Sequence, residues 1–189
     1  MVVPLAIALA AGCKKEGGES DGMYAQKNEP DNLAGLLDMI ARSAETGDAK
    51  KAGALTRSLI PDQAAYRKAF REDVPPAVLG RFVEAARQVP QDDAQLAGLI
   101  HRGDPTQTQV SVHAATPEEI QAGSTPAAAE FPAGVKDNAG LLRPGLRFYE
   151  AEFVAPGEEL GMKYHLLFWD GSRWRMLGPI WRMLETPGG

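Results

Sequence analysis

Cysteine, histidine and aromatic residues are scarce in this chain, and each scarcity removes a class of protein. One cysteine in 189 residues excludes a disulfide framework and any zinc site built on paired cysteines. The three histidines, His101, His113 and His165, show none of the spacings of a zinc-binding helix. No glycine-rich loop runs into Lys-Ser or Lys-Thr for phosphate. Twenty Lys and Arg against 25 Asp and Glu, a net charge of −5, leave no basic field for nucleic acid. The loop acids Asp73, Asp92, Asp93 and Asp104 lack the closing Glu and central Gly of a calcium loop. No metal, cofactor or nucleic acid is expected.

What the chain does have is 44% hydrophobic residues, enough at this length for one domain with a real core. Fourteen prolines and twenty glycines point to many loops. Residues 2–11 form an uncharged apolar run, about half the length needed to span a bilayer. The run ends in small residues, Ala10, Ala11 and Gly12, and the chain's single cysteine, Cys13, follows directly. A polar, glycine-containing stretch without hydrophobic period then extends over 14–31 and reads as a flexible tether.

Periodicity predicts helices next. Asp31 or Asn32 is the expected N-cap of a first helix with Leu33, Leu36, Leu37 and Ile40 on one face, ending near Thr46 and Gly47. Asp48 caps a second helix over 49–60. Pro61 is expected as the first residue of a third, and Val78, Leu79, Phe82, Val83 and Ala86 mark a fourth after Pro75 and Pro76. The pattern then alternates: 107–115 reads as a half-buried strand, and Thr116 opens a short helix. Residues 123–143 read as loop, with a short strand near 128–131. Three aromatic-rich strands are predicted at 146–154, 162–169 and 173–177, with Asp170-Gly171 as a hairpin turn. The expected fold class is α+β, with N-terminal helices packed on a curved C-terminal antiparallel sheet.

Two resemblances follow from these residues. The order apolar run, Ala10-Ala11-Gly12-Cys13, polar tether resembles the lipobox of bacterial lipoproteins. That implies a signal peptide over 1–12, removed before Cys13, a diacylglycerol and acyl (palmitate-type) anchor on Cys13, and a domain held in the extracytoplasmic cell envelope over 32–189. Helices followed by a meander, carried by residues 47–55 and by Phe168-Trp169-Asp170-Gly171 with Trp174, resemble the NTF2-like superfamily. In that superfamily a bent sheet encloses a pocket used for catalysis, for ligand binding or for nothing.

Candidate functional residues are few. His113 and His165 sit on predicted strands, on the faces opposite the aliphatic ones; were those strands neighbours, both imidazoles would share a pocket with Glu150 or Glu152 as acid–base groups. In the third strand, alternation sets Tyr164, Leu166 and Phe168 against Lys163, His165, Leu167 and Trp169. Large apolar groups on both sides mean either a sheet covered twice or an interaction surface. For the latter the candidates are Tyr164, Trp169, Trp174, Arg175 and Trp181. The expected role is a membrane-anchored, non-catalytic module that binds a small ligand or an envelope protein. The alternatives are a pocket enzyme using His113 and His165, and a structural protein that self-associates as a homodimer.

Overall fold

The computed structural model describes residues 24–184, and the lipobox-like segment with Cys13 lies outside them. Helix α1 (Pro30–Glu45) buries Leu33, Leu36, Leu37 and Ile40 on the expected face. Its start differs from expectation. Pro30, whose fixed φ is already helical, occupies the first turn after Glu29. That frees the Asn32 side chain to accept from the Lys27 amide at 2.8 Å and from the Trp174 indole at 3.3 Å. Residues 24–29, assigned to the tether by composition, are thereby tied to α1 and the sheet; Gln26 also accepts from the Trp174 amide at 2.7 Å.

Helix α2 (Ala49–Leu59) is capped by Asp48 as expected. Helix α3 (Gln63–Ala69) starts two residues later than Pro61, because the Asp62 carboxylate takes the cap and accepts from the Ala65 amide at 2.8 Å. Helix α4 (Pro76–Arg87) follows. Helix α5 (Asp93–Ala97), not foreseen, is nucleated by Asp92, which accepts from the Ala94 and Gln95 amides. Strand β1 (Gln109–Ala115) leads into α6 (Pro117–Ala122), which has a full capping box between Thr116 and Glu119.

The stretch predicted as loop with a short strand near 128–131 is helical. Helix α7 (Pro126–Ala129), α8 (Ala133–Asn138) and a 3₁₀ turn at Ala139–Leu141 fill it. Thr125 caps the Ala128 amide at 3.1 Å. Pro126 begins the helix and three alanines continue it, which outweighs the weak strand signal.

Strands β2 (Phe148–Val154), β3 (Met162–Trp169) and β4 (Trp174–Met176) complete an antiparallel meander of order β1-β2-β3-β4. The β3–β4 loop forms at Asp170-Gly171 as expected. The Asp170 amide donates to the Arg173 carbonyl at 3.0 Å, and Gly171 holds φ = 99°, a region that side chains avoid. Helix α9 (Trp181–Leu184) closes the described chain. Among the described residues no helix is long and apolar enough to cross a membrane.

Helices cover both faces of the sheet, which answers the double-sided hydrophobicity of β3. One core joins Leu33, Leu37 and Leu55 from α1 and α2 to Tyr149, Phe153 and Trp174. The other joins Phe70, Phe82, Phe131 and Val135 from the remaining helices to Phe148, Leu166 and Phe168. Among the described residues the buried members of both cores lie between Leu33 and Trp181, with Tyr24, Met183 and Leu184 packed against them.

Strict alternation along β3 fails at one point. The β2–β3 register shifts between Tyr149 and Ala151, and Leu166 sits at φ = 53°. A β-bulge sets His165 and Leu166 together against Glu150 and turns the rest of the strand over. Tyr164 and Leu167 therefore share one core, while Leu166 and Phe168 enter the other.

Candidate functional site

A row of ionisable side chains crosses one face of the sheet. His113 of β1 pairs in register with Glu150 of β2, and the bulge in β3 brings His165 to the other side of Glu150. The two histidine strands are not neighbours; β2 lies between them and supplies the carboxylate. His165 Nδ1 and the Glu150 carboxylate form a hydrogen bond, and the bulge amide of Leu166 donates to the other carboxylate oxygen at 3.3 Å. The Glu150 side chain is 1% exposed and that of His165 23%. The next row holds Glu152, which accepts from the Gly161 amide at 2.5 Å and meets Lys163 at 3.3 Å. Lys163 also reaches Glu130, at 2.9 Å.

Burial pushes the Glu150 carboxyl above its ordinary range, and the hydrogen bond and charge of His165, the Leu166 amide and Lys163 oppose that without cancelling it. Glu130, less buried, is held low, chiefly by its hydrogen bond from Lys163. Trp181 stands edge-on to His165 with ring centroids 5.3 Å apart. It fits there because residue 134 is glycine: a Cβ at that position would overlap the Trp181 indole.

A histidine whose Nδ1 is bound to a carboxylate can exchange a proton at Nε2. Catalysis further needs room for a substrate at that atom. Neither His113 nor His165 lines either of the clefts beside α4.

A carboxyl whose pKa is higher in the folded than in the unfolded chain binds its proton more tightly when folded. Its contribution is then complete below the unfolded pKa and is lost as pH rises through the folded one. Glu150→Gln removes that loss. Urea midpoints measured from pH 4 to pH 8 should show the variant gaining on the wild type as pH rises. A wild type that gains on the variant would refute this sign.

The residues proposed as a contact surface lie mostly inside, which corrects that expectation. Trp174 is fully buried, and Tyr164 and Trp181 are buried at the edges of the two cores. The Tyr164 hydroxyl donates to the His101 carbonyl at 2.8 Å and accepts from the His101 amide at 2.7 Å. Arg175 spends its guanidinium on Asp170 at 2.7 Å, Asp62 at 3.0 Å and the Ile60 carbonyl at 2.7 Å. Only Trp169 keeps part of its surface in solvent. The aromatic and arginine content at the C-terminal end is that of a core and its clamp.

The open volume is elsewhere. A cleft of about 530 Å³ lies between α3 and α4, with Tyr66, Val74, Leu79 and Val83 among its walls and Arg67, Arg71, Arg87 and Arg143 among its charged groups. A second cleft, of about 200 Å³, lies on the α2 side of α4. The four arginines are spread over 77 positions of sequence, so no spacing singles them out. The apolar stripe of α4 was legible as the mark of a helix.

Among the described residues no group of three His, Cys, Asp or Glu side chains converges as a metal site. The loop acids serve local ends: Asp73 pairs with Arg71, Asp92 caps α5, Asp93 pairs with Arg57 and Asp104 accepts from Thr106. No family model matches the chain, and no curated protein and no solved structure matches it.

Proposed function

We propose that this chain is a lipid-anchored protein of the bacterial cell envelope whose folded unit is a non-catalytic ligand-binding module. The observation that carries the binding role is the open cleft between α3 and α4, of a size usual for small-molecule sites. The anchor rests on the sequence order of apolar run, Cys13 and polar tether. One acyl chain holds a protein only marginally, and two or three chains, at about 0.8 kcal/mol per buried methylene, hold it stably. The NTF2-like reading of the domain belongs to the same proposal and rests on the order of helices followed by a meander.

Two measurements test the proposal. Growth with a labelled fatty acid should label the wild type and leave Cys13→Ser unlabelled; label on both would remove the anchor. Native and denaturing mass spectra of freshly purified protein should differ by the mass of a bound small molecule. A bare chain in both spectra, and no ligand found by titration, would remove the binding role.

A second reading, a pocket enzyme with His113 and His165 as acid–base groups, is favoured by one observation: both imidazoles flank the buried Glu150 on a single face. Neither imidazole lines a cleft beside α4, which weighs against it.

A further inference from the structure

The α-helices of the described chain contain four glycines, Gly35, Gly53, Gly80 and Gly134. Three have a packing reason. A Cβ would strike the Tyr24 hydroxyl at Gly35, the Asp93 backbone at Gly53 and the Trp181 indole at Gly134. At Gly80 a Cβ would meet nothing. Glycine is the poorest helix former after proline, and at this position no neighbour in the fold requires it. Gly80 lines the cleft of about 530 Å³ between α3 and α4.

One face of α4 forms a wall of that cleft: Pro76, Leu79, Gly80, Val83 and Arg87 follow one another at helical spacing. Helix α3 contributes Gln63 and Arg67, one turn apart. Leu79 and Val83 are only half-buried, so apolar surface borders the bare backbone at Gly80. Backbone without a Cβ allows close approach of a ligand, and a flat ring exploits that best.

The charges around the cleft nearly cancel. Arg71 pairs with Asp73 at 2.7 Å, Arg87 with Glu84 at 3.1 Å and Arg143 with Glu72 at 3.4 Å. Arg67 is exposed, and its guanidinium makes no hydrogen bond or ion pair among the described residues. Four arginines against three carboxylates leave one positive charge, which suits a monoanion better than a phosphate dianion. A guanidinium binds a carboxylate through two parallel hydrogen bonds, and apolar walls strengthen the pair by lowering the local dielectric.

We infer that this cleft binds a small aryl carboxylate, with the carboxylate on Arg67 and the flat ring against Leu79 and Val83, over the backbone left open at Gly80. This rests on the binding-module reading and names the ligand class of that site.

Calorimetric titration of the full chain with 2-naphthoate tests it. 2-Naphthoate should bind. Its amide, of the same shape without the charge, should bind at least tenfold more weakly, and the cationic 2-naphthylmethylamine should not bind. Arg67→Gln and Gly80→Leu, one removing the charge and one filling the space, should each weaken 2-naphthoate at least tenfold. Neither should lower the melting temperature. Arg143 holds only the backbone carbonyl of residue 67, and leucine is a better helix former than glycine. Should Gly80→Leu nevertheless melt lower, Gly80→Ala decides in its place, with at least a threefold loss expected. No binding of 2-naphthoate, equal binding of the amide or the amine, or a variant binding as tightly as the wild type would overturn the inference. If 2-naphthoate fails while the purified protein still releases another small molecule on denaturation, the ligand class falls and the binding module stands. If nothing binds and nothing is released, both fall.

Discussion

Trp174→Ala is expected to destabilise the domain by about 3–5 kcal/mol, the range for truncating a large buried aromatic. For a domain of this size that lowers the melting temperature by roughly 10 °C. The indole is fully buried and stands edge-on to Tyr149 at 5.0 Å and to Trp169 at 5.5 Å. Its Nε1–H donates to Asn32, and its backbone amide donates to Gln26. The substitution opens a cavity in the α1–α2 core and loosens the attachment of residues 24–29. Thermal and urea denaturation measure the effect. A variant as stable as the wild type would show that Trp174 contributes to a surface contact instead.

Arg175→Leu is expected to cost about 3–5 kcal/mol for a different reason: it strands a buried charge. The Asp170 and Arg175 side chains are 6% and 10% exposed and meet at 2.7 Å. Arg175 also ties β4 to the α2–α3 junction through the Ile60 carbonyl and Asp62. Burial alone would raise the Asp170 carboxyl. Hydrogen bonds from Arg175, from the Ser172 side chain and from the Ser172 and Arg173 amides overcome that and hold it well below the usual carboxylate range.

A carboxyl depressed in the folded state adds stability that is fully present above its unfolded pKa, near 3.9, and is lost as pH falls through the folded one. Losing Arg175 shrinks this contribution, so the gap between variant and wild type should be wide at pH 7 and narrow toward pH 2. The double variant Arg175→Leu with Asp170→Asn should recover part of the loss, because the residual carboxylate charge is gone. Equal stability of Arg175→Leu and wild type at pH 7 would refute the clamp.

The candidate site was legible only in its parts. The histidines of β1 and β3 could be placed on faces by alternation, but which carboxylate they meet depends on strand order and on one bulge. Glu150 and Glu152 are two residues apart on the same strand face, and sequence offers no ground for choosing between them. The register assigns Glu150 to His165 and Glu152 to Lys163 and Gly161. The aromatic and arginine cluster was visible as composition, while its position inside the fold was not. An indole against a core and an indole at an interface have the same local pattern. Arg67, Arg87 and Arg143 could not be grouped, since they meet only after α3, α4 and the turn after the 3₁₀ segment have packed.

Local chemistry alone determined the helix pattern of α1 to α4, the Thr116 capping box, the three C-terminal strands and the turn at Asp170-Gly171. In each of these, short-range hydrogen bonds and hydrophobic period agree over a few residues. The starts of α1 and α3 and the helix after Thr125 are local as well: proline in the first turn and the Asp62 and Thr125 caps set them within a few residues. Tertiary structure decided the rest. The bulge at Leu166, with its amide on Glu150 and cores on both faces, reversed the outer half of β3. That outcome rests on contacts between residues far apart in sequence, and no local pattern encodes it.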